Sequence, residues 1–402
     1  MTLEFEKLTA EVEQMALNVY ERQRIHELLI DKALEKLRAH AEDWQLIEEC
    51  IEAAIKQAGL KELRAARPLD QGDPLDAAVD PPTPPGQATI VAVDGSQIMP
   101  DQHGAFLYSL INIGVLVYFH GSAAAPQQYT VPALDYPGRD EAERFEDRAA
   151  IVSLRRDQAE IQSLAQAVGR QSQAPRPLLA LLDQRLLYWP VSGAADNDGQ
   201  RVLFAWQQEI SAMRDAGAYL AGYIARSRKQ SVLTMLDALD IDQPGFDVER
   251  LTRRERAPGL SDSALFARLL EPGQRSKVFV DVSQHNDEFV RRDEDNEICF
   301  FYFNPGPSGR QIARVDIPIS VAREPQAVSD IHALLHDQCQ YLGYYPYALT
   351  RADEIAVVGR QDQQHLDVMI ENAMQRRGLA GEATAKQQAK DIARAGKTRH
   401  EM

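Results

Sequence analysis

The stretch "IVAVDGSQIM", Ile90 to Met99, contains the strand from which the fold can be predicted. Its first four residues are apolar and mostly β-branched, which predicts a buried strand. Asp94 follows at once, before a glycine and a serine, so the strand ends in a carboxylate. The segment "LLALLD" has the same form and ends at Asp183.

Strands that end in acids indicate a metal site. In open α/β sheets, ligands bind outside the carboxyl ends of the strands. Two carboxylates buried together need a neutralising cation, and Mg²⁺ and Mn²⁺ prefer carboxylate and water ligands. The pattern therefore suggests that Asp94 and Asp183 share a divalent metal. Two alternatives stay open, since Asp94 before a glycine also suits a turn and Asp183 suits a helix cap.

The composition predicts a globular protein. The chain has 402 residues, of which 44% are hydrophobic and 26% charged, enough for roughly two or three compact units. No apolar run approaches the roughly 20 residues of a membrane-spanning helix, and the amino terminus is acidic and amphipathic. We therefore expect a soluble, cytoplasmic protein without a membrane partner. The widely spaced Cys50, Cys299 and Cys339 are expected to be reduced, packed thiols.

Charge and motifs exclude several classes of function. A net charge of −16 argues against a protein that coats nucleic acid over its whole surface, although a local basic channel stays possible. The sequence has no P-loop, no G-x-G-x-x-G after a strand, no H-E-x-x-H and no G-x-S-x-G. We therefore expect no ATP hydrolysis by this chain alone.

The order of patterns predicts a helical start followed by an α/β body. Residues 1–66 are expected to form an amino-terminal helical segment, and the proline-rich residues 67–87 a linker or an extended surface crossing. Residues 88–375 alternate strand and helix patterns, which is typical of a sheet flanked by helices. Residues 200–225 are predicted to form one long helix, broken near its glycines. Residues 376–402 are predicted to form a polar, disordered tail.

Seven segments share their order with a known family. They are "VAVDGS" (Val91–Ser96), "RRDQAEIQSL" (Arg155–Leu164), "LLALLDQRLLYW", "LAGYIARSRKQSVLTML" (Leu220–Leu236), "LSDSALFARLLEPGQRS" (Leu260–Ser276), "ARVDIPISVA" and "LGYYPYALTRADEIAVV" (Leu342–Val358). The ordered set resembles the NurA family of DNA repair nucleases. The resemblance covers most of residues 86–375, and the helical start and polar tail lie largely outside it.

The resemblance implies an α/β fold: an RNase H-like mixed sheet flanked by helices, with an amino-terminal helical extension. It also implies a carboxylate cluster that binds Mn²⁺, or Mg²⁺, and cuts DNA. By position, the catalytic metal ligands would be Asp94, Glu160, Asp183 and Asp262. Glu141, Glu143 and Glu146 are alternatives to Glu160. The competing interpretations are an ordinary exposed helix residue for Glu160 and a helix cap for Asp262.

Two departures from the family pattern matter. Asp183 is followed by Gln184 where many members have glycine, which alters the turn and retains the acid. Asp353 follows Ala352 where the family often has histidine. An aspartate binds the same hard metal but cannot replace neutral imidazole in acid–base chemistry near pH 7. Asp353 is therefore a fifth catalytic candidate, and a histidine role, by His336 or His365, is in doubt.

Two groups of residues are candidates for DNA binding. Arg226, Arg228 and Lys229 would contact phosphates, with a solvated helix end as the alternative. Tyr188 and Trp189 would stack on unpaired bases, with core packing as the alternative.

The resemblance also implies partners and an activity. Family members form homodimers around a narrow channel and dock on a hexameric HerA-type ATPase. The helices of residues 1–66 would contact the motor or the second subunit, or pack on the chain's own core. The implied activity is 5′–3′ exonuclease on single- and double-stranded DNA and endonuclease on single-stranded DNA, in end resection for double-strand break repair. The alternatives are a catalytically weak or inactive scaffold that regulates the ATPase and an RNA-directed nuclease.

Overall fold

The computed structural model describes residues 5–101, 106–138, 149–189, 196–252, 260–306 and 311–379. These residues form two compact units. Unit 1 consists of the described parts of Met1–Gly86, Asp183–Leu187 and Tyr219–Tyr347. Unit 2 consists of those of Gln87–Leu182, Tyr188–Ala218 and Ala348–Met402. A search of the helices in this described part finds none long and apolar enough to cross a membrane.

Helices and strands alternate through the body of the chain. The helices are α1 (Thr9–Ala39), α2 (Trp44–Ala58), α3 (Ala149–Gly169), α4 (Asp196–Asp215), α5 (Ser231–Ala238), α6 (Glu249–Thr252), α7 (Asp262–Phe266), α8 (Gln284–Val290), α9 (Ile319–Ala322), α10 (Pro325–Gln340), α11 (Tyr347–Ala356) and α12 (Arg360–Gln375). The strands are β1 (Ala65–Pro68), β2 (Ala88–Ile98), β3 (Ser109–His120), β4 (Gln127–Asp135), β5 (Leu178–Leu182), β6 (Tyr219–Ile224), β7 (Phe279–Val282), β8 (Ile298–Phe303) and β9 (Ala313–Pro318).

Unit 1 contains an antiparallel sheet in the order β1-β7-β8-β9-β6. Strands β7, β8 and β9 are buried along their whole length. Apolar residues of α2, α5 and α7 and of the carboxyl-terminal part of α1 share one core with β1, β7 and β8. The proline-rich residues that follow β1 are held to this unit, since Leu75 is buried and Lys277 Nζ lies 3.0 Å from Asp70 Oδ1.

Unit 2 contains a mixed sheet in the order β5-β2-β3-β4. Strands β2, β3 and β4 form an antiparallel meander, and β5 pairs with β2 in parallel. Helix α3 packs against β2 and β3 and buries Ile161 and Leu164. A meander of three strands joined by a fourth, parallel strand agrees with the RNase H-like mixed sheet predicted from the resemblance, and helices flank it as expected.

The predicted elements are largely confirmed. The segments "KVFVDV", "EICFFYFNP" and "IARVDIPI" contain strands, residues 1–66 contain two long helices, and the three cysteines are free and buried. The long helix predicted for residues 200–225 is wrong, because α4 ends at Asp215 and β6 begins at Tyr219. Gly217, with a φ of 67°, turns the chain between them, a conformation that glycine adopts without strain.

Candidate active site

Asp94 lies near the middle of β2, at the point where burial of the strand ends. Residues 88–93 are buried and Asp94 is half-buried. Its Oδ1 atom accepts a hydrogen bond from the Gly95 backbone N–H at 2.7 Å. The strand pairing with β3 continues through Ile98, so Asp94 is held in regular strand backbone. Asp94 and Gly95 therefore lie in a strand, and the alternative that they form a turn is wrong.

Glu160 of α3 lies directly against Gly95. A Cβ atom at Gly95 would overlap the Glu160 carboxylate and lie 2.9 Å from Arg156 Cγ. Glu160 is buried, with a relative exposure of 6%, which excludes the ordinary exposed helix residue considered from the sequence. Glycine at this position makes room for a carboxylate to approach the β2 backbone, one residue after Asp94.

Arg156 of α3 lies among three acids. Its Nε atom is 3.1 Å from Glu160 Oε1, and its Nη2 atom is 3.1 Å from Asp157 Oδ1. Burial opposes the charge of Arg156, but Glu160, Asp157 and Asp94 outweigh it and raise the pKa of the guanidinium above its usual value. The four side chains therefore form one electrostatic cluster, called the Arg156 cluster below.

Asp94 and Gly95 face opposite sides of the sheet, close to the point where β5 stops pairing with β2. Side chains alternate along a strand, so Asp94 faces the same side as its register partner Gly114, and Gly95 faces α3. Strand β5 pairs with β2 only as far as Leu182, which is opposite Val93. Beyond this point β5 no longer covers that edge of β2. Asp183 is the next residue after Leu182 and is exposed.

Helix α11 packs on β3 at the register partner of Asp94. A Cβ atom at Gly114 would overlap the backbone of Ala352 and Ala356, and the Asn112 amide donates a hydrogen bond to the Ala356 carbonyl at 2.8 Å. Asp353 follows Ala352, and its side chain is exposed. The structure thus brings the backbone of the Ala-Asp pair to β3, while the Asp353 carboxylate lies in solvent.

Asp262 has a different environment. Its side chain is fully buried in unit 1. It accepts hydrogen bonds from the backbone N–H groups of Val232 and Leu233, both at 3.0 Å, and from the Tyr302 hydroxyl at 2.9 Å. Burial raises the Asp262 pKa, and these donors partly oppose the rise. The bonds tie Asp262 to the amino terminus of α5 and account for its burial without a metal. Ser261 caps α7.

Unit 1 also contains a buried ion network that the sequence analysis did not identify. Arg314 donates from Nε to Asp316 at 2.7 Å and from Nη2 to Asp281 at 3.0 Å. These three side chains are between 1% and 3% exposed. Asp316 also accepts from the Leu186 N–H and Asp281 from the Ser283 hydroxyl. Charged residues inside the apolar segments "KVFVDV" and "IARVDIPI" were the signal in the sequence.

The candidate DNA-binding residues divide by exposure. Arg226 and Arg228 are exposed, and Lys229 is half-buried. Burial lowers the Lys229 pKa, Arg314 and Arg185 add to this effect, and Asp281 and Asp316 oppose it. Lys229 therefore interacts electrostatically with the buried ion network, whereas the two arginines face solvent.

The structure places Tyr188 in the core of unit 2. Tyr188 is 3% exposed, stacks on Trp206 at a centroid distance of 4.5 Å and donates to Asp157 at 3.2 Å. The core-packing alternative thus applies to Tyr188, which has no open ring face for a base. Trp189 is half-buried.

The described residues contain no group of three His, Cys, Asp or Glu side chains placed to hold a metal ion. Glu141, Glu143 and Glu146 lie outside the described residues. Of the predicted ligands, the structure brings Asp94 and Glu160 to neighbouring positions. Arg156, Asp157 and the role of Gly95 were not predicted from the sequence. The spacing of four residues between Arg156 and Glu160 on a predicted helix was the available signal.

One family model matches this chain. The family model for the NurA domain matches residues 88–358. The crystal structure of the NurA nuclease from Sulfolobus solfataricus matches with a TM-score of 0.51 at 12% identity, over 94% of this chain and 98% of that chain. A crystal structure of NurA with manganese matches with a TM-score of 0.37 at 14% identity, over 88% and 97% of the two chains.

The catalytic domain of human endonuclease V matches with a TM-score of 0.30 at 14% identity, over 73% of this chain and 91% of that chain. A search of the curated proteins finds no match. The family model covers well over half of the chain and includes the strands and helices that carry Asp94, Glu160 and Asp353. The chain therefore belongs to the NurA family.

Proposed function

We propose that this protein is a divalent-metal-dependent nuclease that hydrolyses phosphodiester bonds of DNA. The observation that carries the proposal is the approach of the buried Glu160 carboxylate to Gly95, next to Asp94, inside the NurA domain. A buried carboxylate such as that of Glu160 is costly unless a cation compensates it. Membership of the NurA family supports the same activity.

The residues present fit a hard divalent cation. Their donors are carboxylate oxygens, which Mn²⁺ and Mg²⁺ prefer, and glycine at position 95 leaves the space that one of them uses. We propose Asp94 and Glu160 as metal ligands, and the family resemblance suggests Asp183 as a third. When bound, the metal would lower the pKa of a water molecule and stabilise charge on the leaving oxygen. Asp262 is left out, because hydrogen bonds already occupy its carboxylate.

The chain's own residues orient these groups and bind the substrate. The Gly95 N–H holds one oxygen of Asp94, and the strand pairing through Ile98 keeps the backbone of both residues in place. Arg226 and Arg228, which are exposed, would contact the phosphate backbone. Asp353 is kept as a further ligand candidate, and Trp189 as a residue that stacks on an unpaired base.

We further propose 5′–3′ exonuclease activity on single- and double-stranded DNA, endonuclease activity on single strands and a role in end resection in the cytoplasm. A chain with net charge −16 repels DNA at long range, so a DNA-translocating HerA-type ATPase would deliver the substrate to a homodimer. The amino-terminal helices support a partner contact. Phe5, Leu8, Val12, Met15 and Val19 have heptad spacing and are between 38% and 72% exposed, which is typical of a helix that packs on another protein.

The test is cleavage of end-labelled single- and double-stranded DNA by the full chain in a titration of MnCl₂, alone and with its ATPase. We expect cleavage by the wild type and none by Asp94→Ala or Asp183→Ala. Intact DNA at every metal concentration, with and without the ATPase, would contradict the proposal. A matched RNA substrate in competition tests the sugar preference, and preferential cleavage of the RNA would replace DNA with RNA as the proposed substrate class.

The Arg156–Glu160 ion pair favours a second candidate, a NurA-like scaffold that regulates the ATPase without cutting DNA. An arginine that neutralises Glu160 gives the acid a partner other than a metal. Under this alternative, Asp94→Ala retains full cellular function and full stimulation of the ATPase. Under the nuclease proposal, Asp94→Ala abolishes repair and leaves ATPase binding unchanged.

A further inference from the structure

The contact between Arg156 and Glu160 is an ion pair without a hydrogen bond. Nε is 3.1 Å from Glu160 Oε1, yet the buried Nε–H has no acceptor in hydrogen-bonding geometry. An arginine–carboxylate pair joined by well-aligned hydrogen bonds is usually stronger than an ion pair without them. Attraction between the charges, which a competing cation can replace, therefore dominates this contact.

Arg156 has a second anionic neighbour. Its Nη2 atom donates to Asp157 Oδ1 at 3.1 Å, and the Tyr188 hydroxyl holds the other oxygen of Asp157 at 3.2 Å. Tyr188 is itself fixed by stacking on the fully buried Trp206. Asp157 is thus anchored independently of Arg156. The Arg156 side chain is 33% exposed, so the guanidinium has room to move while one anion still holds it.

We propose that Arg156 is an internal counter-ion that competes with the metal: it neutralises Glu160 and Asp94 in the metal-free protein and leaves Glu160 for Asp157 when a divalent cation binds. The inference rests on the proposed metal-dependent function. No covalent bond or proton changes, because one cation replaces another beside the same carboxylates. Arg156 is therefore a positioning residue that sets metal affinity.

Removing the competing charge has opposite effects on two properties. Without Arg156, the buried Glu160 carboxylate loses a neighbouring cation in the metal-free protein, which destabilises it. The metal then meets no positive charge in its site and binds more tightly. If Arg156 had only a structural role, its removal would lower stability equally with and without metal and would leave metal affinity unchanged or weaker.

The experiment measures binding of MnCl₂ by isothermal titration calorimetry and thermal unfolding with and without MnCl₂, on the full chain. The variants are Arg156→Gln, Arg156→Met as a second neutral variant in case the first does not fold, and Arg156→Lys, which keeps the charge. Arg155→Gln is the matched control. Arg155 is the neighbouring residue on α3, its side chain is 30% exposed, and it pairs with Asp135, outside the Arg156 cluster.

We expect Arg156→Gln or Arg156→Met to bind Mn²⁺ roughly three- to tenfold more tightly than the wild type, as expected when one nearby like charge is removed. The metal-free unfolding temperature should fall and the Mn²⁺-induced increase should grow. Arg156→Lys should lie between the neutral variants and the wild type, and Arg155→Gln should bind Mn²⁺ like the wild type.

Unchanged or weaker Mn²⁺ binding by both neutral variants overturns the inference, and if the wild type still cleaves DNA with Mn²⁺, the proposed function survives. Equal tightening by Arg155→Gln also overturns it, because the effect would then be a general charge effect. A wild type that neither binds Mn²⁺ nor cleaves DNA overturns the inference and the proposed function together.

Discussion

Two charged clusters, one in each unit, use an arginine between two or more acids in different ways. In the buried ion network of unit 1, Arg314 donates hydrogen bonds to Asp281 and Asp316 and lies 3.7 Å from the centroid of the Phe300 ring. In the Arg156 cluster of unit 2, the arginine is partly exposed and its contact with Glu160 lacks a hydrogen bond.

The pKa directions agree with this difference. Burial opposes ionisation of Asp281, but Lys229 and Arg314 outweigh it and lower the Asp281 pKa. Burial also opposes the charge of Arg314, and Asp316 and Asp281 outweigh it and raise the Arg314 pKa. The Asp281 and Arg314 charges therefore stabilise each other, with Lys229 as a second cation, which is typical of a structural role. The Arg156 cluster has more acids than bases and contains Asp94, as expected of a site that accepts a further cation.

The largest expected effect is on catalysis by the Arg156 cluster. Asp94→Asn keeps the shape of the side chain and removes its charge, so we expect the cleavage rate to fall by roughly 10³-fold, since a bound metal supplies several kcal/mol of charge stabilisation. The unfolding free energy should change little, because Asp94 is only half-buried. Single-turnover cleavage and urea unfolding measure the two quantities. A large loss of stability with normal cleavage would mean that Asp94 has a structural role instead of a catalytic one.

The next effect is on stability in unit 1. Arg314→Met removes the guanidinium that donates to both Asp281 and Asp316 inside unit 1, which costs about 3–5 kcal/mol of unfolding free energy. Urea unfolding at neutral pH measures the loss. Arg156→Met is the control from the other cluster, and we expect it to cost much less because its side chain is partly exposed. Equal losses for the two variants would remove the distinction between a structural and an adaptable cluster.

A third prediction concerns how strongly the interior of unit 1 excludes charge. His332 is 1% exposed and its Nε2–H donates to the Gly273 carbonyl at 2.7 Å. Burial lowers the His332 pKa to about 4. Arg275 and His336 add to this shift, and the hydrogen bond to Gly273 opposes it. The unfolded chain binds this proton near the ordinary histidine pKa of about 6.5, so stability falls as the pH decreases from about 6.5 to 4.

His332→Gln keeps a donor for Gly273 and does not titrate. The wild type should lose about 2 kcal/mol more unfolding free energy than this variant between pH 7.5 and pH 5, as measured by urea unfolding at both values. His365→Gln, an exposed histidine of α12, is the control and should behave like the wild type. The same pH dependence in all three proteins would contradict the buried, neutral state of His332.

The smallest effect tests the space between β2 and α3. Gly95→Ala introduces a Cβ atom that overlaps the Glu160 carboxylate, so we expect cleavage to fall about tenfold, since misplacing one metal ligand typically costs that much. Gly86→Ala is the matched control, because a Cβ atom there has no neighbour within 4 Å. Normal cleavage by Gly95→Ala would mean that the position of Glu160 does not matter for the reaction.

The sequence predicted the parts of the fold that repeat a strong local pattern. Apolar runs such as the one before Asp94 are buried strands. Strand β6 was missed, because the alanines and glycines of "AYLAGYI" resemble a weak helix and its pairing with β9 is a contact distant in sequence. Propensity alone does not contain such pairing.

The candidate site was predicted only in part, again because some of its contacts join residues that are distant in sequence. The apolar run before Asp94 and the family resemblance predicted Asp94 and Glu160, but the strand does not end at Asp94, because β2 continues to Ile98. The burial of Tyr188 and the hydrogen bonds of Asp262 depend on neighbours far along the chain, Trp206 and Tyr302. Arg156 was overlooked because a basic residue on a charged helix ordinarily faces solvent. Only the packing of α3 on β2 reveals that it faces acids.

Direct Mn²⁺ binding tests the central claim that Asp94 and Glu160 hold a divalent metal. Calorimetric titration of MnCl₂ should detect binding to the wild type and at least about tenfold weaker binding to Asp94→Asn and Glu160→Gln. Asp135→Asn, which removes the partner of Arg155 on β4, should bind like the wild type. Equal Mn²⁺ affinity in all four proteins, or none in the wild type, would contradict the claim.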